Sequence, residues 1–176
     1  MEVIDNFLSK EDFKVLKEIV ISNQIPYYYS DHVSSPKEED DIRFSYFTHT
    51  LFNNNRIFSP FFEEFQKRIL NYKSLEIVSL LRMKINVYPR TEKRITHPRH
   101  QDFTLKGFNK TKNIKFNGFI LSFNTCDGAT IIYKDGKCHE IPSVENRALF
   151  FDSSLFHSST NCTNARGRFN ININYI

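Results

Sequence analysis

The sequence has few cysteines, little excess charge and no long apolar run, and each scarcity excludes a class of protein. Its three cysteines, Cys126, Cys138 and Cys162, include no CxxC pair, so reduced thiols are favoured over a disulfide framework or a zinc knuckle. The formal net charge of +4 comes from scattered lysines and arginines, a weak pattern for nucleic-acid binding. No apolar run approaches the roughly 18 residues that span a bilayer, and the acidic start lacks signal-peptide features. We therefore expect a cytoplasmic protein without membrane contact.

What the chain does contain is enough apolar material for one domain. It has 176 residues, of which 40% are hydrophobic, including 18 phenylalanines. Charged stretches with helical spacing occupy the first half, and short runs of Val, Ile, Phe, Tyr and Thr occupy the second. The pattern predicts a single α+β domain over residues 1–176, with a helical part at 1–80 and a β core at 81–176.

Two helices are predicted in the first part. Ser9 is a suitable N-cap, and Phe13 and Leu16 follow at helical spacing. A second apolar series at helical spacing runs over residues 60–70, with acidic residues in its first turn. Residues 30–41 are polar and predict an exposed loop. Both helices are expected to cover one face of a sheet.

From residue 81 onward the apolar period changes to two, which predicts strands. The predicted strands are 82–88, 99–103, 116–124, 129–134, 137–141, 147–152, a segment around His157, and 168–175. Asp127-Gly128 and Asp135-Gly136 supply turn signals between neighbours. Eight short strands are typical of a double-stranded β-helix, the jelly roll of cupins.

The first and last of these strands each carry one strongly polar face. These faces comprise Arg82, Lys84, Asn86 and Tyr88 on the first strand, and Arg168, Asn170, Asn172 and Asn174 on the last. Buried amides without partners are costly, so the two faces either meet solvent or line a polar cavity. The sequence leaves both arrangements open.

Three residues form a candidate metal site. His100 and Asp102 are two residues apart, so on a strand both side chains point to the same side. An HxD tripeptide is expected by chance in roughly one such chain in three, so it is weak evidence alone. His157 lies on a distant strand that a jelly roll can bring opposite, which would complete two histidines and one carboxylate.

Three protein ligands leave open coordination positions, which favour Fe(II) and dioxygen chemistry over a closed structural zinc site. Arg168 offers a planar guanidinium that can bind a carboxylate in bidentate fashion. Asn86 and Tyr88 could hydrogen-bond the same ligand. The ordinary alternatives are a surface charge for Arg168 and a core residue for Tyr88.

The order HxD, distal His157 and an arginine in the final strand resembles the Fe(II)/2-oxoglutarate-dependent dioxygenase superfamily. The resemblance is greater to its prolyl 4-hydroxylase-like branch, because Tyr88 and the segment 119–130, with its GxT-like end, also agree. The similarity covers roughly residues 82–176. It is strongest in the three proposed metal ligands.

This resemblance implies cofactors and an activity. Fe(II) would be bound by His100, Asp102 and His157. 2-Oxoglutarate would chelate the iron, direct its distal carboxylate to Arg168, and contact Tyr88 and Asn86. Dioxygen would be consumed, succinate formed and a substrate C–H bond hydroxylated, with ascorbate as an accessory reductant.

Two neighbours of these residues leave choices. Arg166 would share a face with Arg168 on a strand, and we prefer Arg168 because it opens the alternating run of the last strand. His97 precedes Pro98, so we expect it at the rim of the site instead of on the metal.

Three functions compete at this level. The resemblance favours a peptidyl, prolyl-type or amino-acid substrate, with residues 103–115 as either a basic lid or a solvated loop. The nucleic-acid demethylase branch shares NxY and RxN elements, here at Asn86 and Arg168, but its usual second arginine is replaced by Asn174. A non-catalytic cupin-like metal-binding domain is the third alternative.

Overall fold

Eleven strands in the described part of the chain form two antiparallel sheets. The computed structural model describes residues 1–33, 42–71, 75–102 and 115–176. The strands are β1 (Glu2–Ile4), β2 (Tyr28–Ser30), β3 (Tyr46–Asn53), β4 (Arg56–Ile57), β5 (Leu80–Pro89), β6 (Asn117–Ser122), β7 (Ala129–Lys134), β8 (Lys137–Pro142), β9 (Ala148–Asp152), β10 (His157–Ser159) and β11 (Gly167–Tyr175). The larger sheet has the order β1-β9-β6-β11-β5-β3-β2, with β4 paired to β3, and the smaller has the order β10-β7-β8. This is the predicted jelly-roll architecture.

The first predicted helix is present and the second is shorter than predicted. Helix α1 spans Lys10–Ile21, and the Ser9 hydroxyl accepts a hydrogen bond from the Asp12 backbone N–H at 3.1 Å. Helix α2 spans only Phe62–Phe65 and continues as π-helical backbone over Gln66–Leu70. Both helices direct phenylalanines into the core.

The N-terminal part is not purely helical, which corrects the prediction for residues 1–80. It also contributes β1 to β4, and β3 pairs with β5 inside the larger sheet. β3 is rich in aromatic residues and threonine, which favour strands, and the helical interpretation overlooked that composition. Of the predicted loop at 30–41, residues 34–41 lie outside the described part of the chain.

The predicted strand at 99–103 is wrong over the residues that are described. Only isolated bridges form here, between Thr96 and Thr160 and between His100 and His157. Pro98 lies between the two bridges and has no N–H to donate, so a continuous ladder cannot form. Residue 103 lies outside the described ranges.

One of the two Asp-Gly pairs forms a hairpin turn. Asp135 and Gly136 have φ values of 52° and 72° and join β7 to β8, as a type I′ turn requires. Gly128 instead belongs to the segment that passes from β6 in the larger sheet to β7 in the smaller one. Its lack of a side chain lets the backbone pass close to Arg168.

The apolar core separates the helices from the interior of the jelly roll. Met83 and Ile85 of β5 and Ile171 and Ile173 of β11 pack in one cluster with the buried side chains of both helices. A smaller cluster, which includes Ile132, is formed by side chains of β6, β7, β8 and β9. The opposite faces of β5 and β11 are thereby left to the interior between the sheets.

Asn146 ties the N-terminal segment to the larger sheet. It is buried with φ of 57°, its side-chain oxygen accepts from the Leu8 N–H at 3.0 Å, and its amide donates to the Leu8 carbonyl at 2.9 Å. We expect Asn146→Ala to lower the free energy of unfolding by about 2–4 kcal/mol. The N–H and carbonyl of Leu8 would lose their partners, and alanine tolerates the left-handed backbone conformation at position 146 less well than asparagine. Urea unfolding measures the change. Asn55→Ala, at an exposed residue with φ of 59°, isolates the backbone contribution, and an equal loss in both variants would contradict this role.

None of the helices in the described part of the chain is long and apolar enough to cross a membrane.

Candidate metal centre

The polar faces of β5 and β11 lie side by side in register. The paired residues are Arg168 with Tyr88, Asn170 with Asn86, Asn172 with Lys84, and Asn174 with Arg82. The four β11 side chains are buried, with Asn174 fully inaccessible. Buried polar groups of this density need partners. The two faces therefore line a polar interior, and the solvent-exposed alternative is excluded.

Backbone pairing brings His100 and His157 together. The His100 N–H donates to the His157 carbonyl at 2.9 Å, and the His157 N–H donates to the His100 carbonyl at 2.8 Å. The two ring centroids lie 4.4 Å apart. The bridge thus places two imidazoles at one point of the small sheet, although the residues are distant in sequence.

The same backbone determines which ring nitrogen faces the centre. His100 Nδ1 lies 3.1 Å from the Pro98 carbonyl, and His157 Nδ1 lies 3.0 Å from the Leu155 carbonyl. A carbonyl only accepts, so each Nδ1 carries the proton and donates. Both Nε2 atoms are left with a free lone pair, the form in which imidazole binds metals.

Asp102 completes the group. Its Oδ1 lies 4.0 Å from His100 Nε2 and its Oδ2 lies 3.7 Å from His157 Nε2. One ligand atom from each of the three residues lies within 4.8 Å of the others. The structure therefore brings together the three side chains that the sequence nominated, in an arrangement suited to one metal ion.

Three neighbours hold the Asp102 carboxylate in place. Arg82 Nη2 lies 2.8 Å from Oδ1, and the side-chain amides of Asn172 and Asn174 each donate to Oδ2 at 3.0 Å. Arg82 Nε also donates to the Asn174 oxygen at 3.1 Å. A carboxylate restrained on both oxygens loses little freedom when it binds a metal.

The electrostatics favour the protonation states that bind metal. Burial raises the pKa of Asp102, but the charge of Arg82, the electrostatic interaction with His157 and the hydrogen bond from Asn172 outweigh it and hold that pKa well below its usual range. Burial, reinforced by His157, lowers the pKa of His100 to about 4. At neutral pH the carboxylate is therefore ionised and the imidazole neutral.

Arg168 lies in the interior and Arg166 lies outside it. The Arg168 side chain is 1% exposed, whereas Arg166 is exposed in the bend before β11. Arg168 Nη1 donates to the Thr160 carbonyl at 3.1 Å and Nη2 to the Thr130 hydroxyl at 2.7 Å. Among the two arginines, only Arg168 is placed to bind a ligand between the sheets.

Several buried polar atoms facing this interior have no hydrogen-bond partner among the described residues. They include Nε of Arg168, Oδ1 of Asn86 and Oδ1 of Asn172. A small cavity adjoins the two asparagines, and its lining includes His100 and His157. Buried donors and acceptors left unpaired in this way are costly unless a polar ligand binds them.

Tyr88 and His97 form a stack behind Arg168. The rings of Tyr88 and His97 lie 5.1 Å apart and nearly parallel, and Arg168 Cζ lies 5.4 Å from the Tyr88 ring centroid. His97 is 2% exposed and its Nδ1 lies 2.8 Å from the Ser159 hydroxyl. The prediction that His97 lies at the rim is wrong, because Pro98 turns the chain so that the ring packs inward.

Gly128 makes room for Arg168. A Cβ at position 128 would lie 2.7 Å from both Arg168 Cδ and the Asn161 carbonyl oxygen. We expect Gly128→Ala to displace the guanidinium, weakening the 2-oxoglutarate binding that the sequence predicts about tenfold and destabilising the fold by about 1–3 kcal/mol, as overpacking does. Calorimetric titration and urea unfolding measure the two effects. Gly136→Asn, in open space and at a φ that asparagine tolerates, should change neither, and unaltered binding in Gly128→Ala would contradict the close-approach role.

The sequence did not identify Arg82, Lys84, Asn172 and Asn174 as part of the site. It showed only that they share the polar faces of two strands, and the partner of each face depends on how the strands pair. The predicted lid at 103–115 lies outside the described residues except for Lys115.

Comparisons with solved structures match this fold across the chain. A prolyl hydroxylase from Trichoplax adhaerens, in complex with a peptide of the hypoxia inducible factor oxygen degradation domain, has a TM-score of 0.61 at 14% identity, covering 99% of this chain and 82% of that one. A prolyl-4-hydroxylase from Pseudomonas putida has a TM-score of 0.56 at 11% identity, covering 99% and 90%. A 2OG-Fe(II) oxygenase family protein from Burkholderia pseudomallei has a TM-score of 0.61 at 7% identity, covering 92% and 77%. No family model and no curated protein matches the sequence.

At these low identities the structural similarity establishes the fold alone. The chain folds as the jelly roll of 2-oxoglutarate oxygenases, including prolyl hydroxylases, so the resemblance seen in the sequence extends to the tertiary structure.

Proposed function

We propose that this protein is an Fe(II)/2-oxoglutarate-dependent dioxygenase that hydroxylates a C–H bond of a peptidyl or amino-acid substrate. The observation that carries the proposal is the convergence of His100, Asp102 and His157 on one point of an interior that also contains Arg168. The fold agrees with this chemistry but leaves the activity to be tested, because one fold supports many functions.

The donor set fits Fe(II). Two imidazole nitrogens and one carboxylate, with the remaining positions open, form the ligand set of non-haem iron oxygenases. Iron bound here would activate dioxygen and so couple the decarboxylation of 2-oxoglutarate to oxidation of a substrate C–H bond. The chain contributes the fixed histidine tautomers and a carboxylate held by Arg82, Asn172 and Asn174.

The unpaired buried atoms fit a dicarboxylate cosubstrate. Arg168 presents an unsatisfied Nε–H beside Thr130, the hydroxyl that already accepts from its guanidinium. A carboxylate there would gain charge-assisted hydrogen bonds from a buried guanidinium. Tyr88 and Asn86 line the same cavity and would orient the rest of the molecule.

Two of the similar structures are prolyl hydroxylases and one of these holds a peptide, which supports a peptide or protein substrate here. A free amino acid is the second form of the same class. We give nucleic-acid demethylation a lower rank because Asn174 replaces an arginine that is usual in that branch.

The test is metal-dependent turnover. Protein purified without oxygen is loaded with Fe(II) and 2-oxoglutarate, oxygen is admitted, and succinate is quantified against a sample loaded with Zn(II). In parallel, 2-oxoglutarate binding to the Zn(II) form is measured by calorimetry. Metal-dependent binding with iron-dependent succinate release is expected. Absence of both would leave the non-catalytic binding domain as the better interpretation.

A further inference from the structure

Lys84 faces the candidate metal centre but serves none of the functions described so far. It lies on β5 between Arg82 and Asn86, on the same face of the strand, and pairs with Asn172 across to β11. Asn172 in turn donates to Asp102. The lysine therefore projects into the polar interior beside the three proposed metal ligands.

Within the described part of the chain, the Lys84 ammonium has one hydrogen-bond partner. Its Nζ donates to the Tyr46 hydroxyl at 2.9 Å, and no described carboxylate lies within ion-pair distance of it. An ammonium carries three N–H donors. Among the described residues, two of these donors have no acceptor, in a part of the molecule where an unpaired charge is unfavourable.

The position of the ammonium is fixed by a buried tyrosine. Tyr46 is 4% exposed, its ring stacks on Tyr88 at a centroid distance of 5.4 Å, and its hydroxyl also contacts Ser30. The ring therefore cannot swing away from Lys84. A pre-positioned donor of this kind binds an anion with little loss of conformational entropy.

The proposed complex of protein, metal and 2-oxoglutarate has an excess of positive charge at its centre. A divalent metal and the dicarboxylate cosubstrate offset each other, and Arg82 offsets Asp102. Arg168 and Lys84 then remain as two positive charges, of which only Lys84 is free to meet a further molecule. A substrate with a negative group would relieve this imbalance.

We propose that the substrate carries a carboxylate and that Lys84, held by Tyr46, binds it. This inference rests on the proposed function and adds the chemical class of the substrate. The carboxylate has two sources, the α-carboxylate of a free amino acid or the acidic side chain of a peptide. Lys84 would determine specificity by pairing with it, while the metal centre acts on a neighbouring C–H bond.

The first test uses acetate as the probe. The protein is loaded with Zn(II) and saturated with 2-oxoglutarate, so that Arg168 is occupied, and acetate binding is followed by ligand-observed NMR against acetamide. Acetate is expected to bind saturably and acetamide not. Lys84→Met should weaken acetate binding about 10- to 100-fold, since a charge-assisted hydrogen bond is lost, whereas Lys134→Met, an exposed lysine on β7, should leave it unchanged.

A second variant covers the case in which Lys84→Met does not fold. Tyr46→Phe retains the ammonium and removes only the hydroxyl that positions it, so acetate should bind more weakly but by less than tenfold. Equal acetate binding in wild type and Lys84→Met, equal binding of acetate and acetamide, or no saturable acetate binding at all would overturn the proposal.

Matched compounds then separate the two sources of carboxylate. L-Proline is compared with L-prolinamide, and N-acetylglutamate α-amide with N-acetylglutamine α-amide. Tighter binding of the free amino acid, lost in Lys84→Met, indicates a small substrate, and the same result for the capped glutamate indicates an acidic peptide. Metal-dependent 2-oxoglutarate binding is read from the same samples, so loss of that binding would contradict the proposed function without affecting the comparison at Lys84.

Discussion

Asp102→Ala is expected to lower the affinity for the metal by more than about 100-fold and to abolish succinate formation. Removing a residue that only orients a ligand costs about 10- to 100-fold, and Asp102 is itself the anionic ligand. Its loss also leaves the charge of Arg82 at the centre, which repels a cation. Calorimetric titration with Zn(II) and a succinate assay with Fe(II) measure the two effects.

The control is His139→Ala, which removes a histidine of β8 that is not one of the three proposed ligands, and should change neither quantity. Asp102→Asn keeps the size and much of the hydrogen bonding of the side chain while removing its charge, so it separates loss of the ligand from loss of the fold. Metal affinity within a few fold of the wild type in both Asp102 variants would show that the triad does not bind metal.

Arg168→Met is expected to weaken 2-oxoglutarate binding between about 30- and 1,000-fold. Removing one partner of a buried, hydrogen-bonded charge pair costs about 2–4 kcal/mol, and the distal carboxylate would be left without its cation. The residue is 1% exposed, and its Nε–H has no partner in the described ranges, so little else can replace it. Metal affinity should be unchanged, because Arg168 contacts none of the three proposed ligands.

Arg166→Met is the matched control for this prediction. It removes the same charge two residues earlier, from an exposed bend, and should alter 2-oxoglutarate binding less than twofold. Thermal unfolding of both variants separates binding from stability, since Arg168 also satisfies the Thr160 carbonyl and the Thr130 hydroxyl. Similar losses of binding in the two variants would mean that net charge, and not the buried guanidinium, determines affinity.

The strands of the jelly roll were largely readable because their alternation reflects burial on one side. β5, β7 and β11 appear within about two residues of their predicted bounds, each with a clear apolar face. β1, β2 and β4 are two or three residues long, too short to show a period, and were missed. The prediction of a strand around His100 failed for a different reason. Pro98 interrupts the hydrogen-bond ladder that the flanking residues would otherwise continue.

The residues of the site were likewise predictable in part. Residue types and their order were sufficient to nominate His100, Asp102 and His157, since a metal needs those donors and a strand places alternate residues on one side. Position in the chain could not distinguish Arg166 from Arg168, because both would face the same way on an extended strand. The structure distinguishes the two arginines. β11 begins at Gly167, which leaves Arg166 outside the strand, and the absence of a side chain at Gly128 leaves room for Arg168.

Local sequence thus determined the elements of this protein and the chemistry of its ligands, because periodicity and donor type are properties of neighbouring residues. Tertiary structure decided what the polar faces of β5 and β11 meet, because pairing between strands 80 or more residues apart places Arg82, Asn172 and Asn174 on Asp102 and leaves Lys84 beside them. Such contacts depend on the register between distant segments, and no local pattern encodes that register.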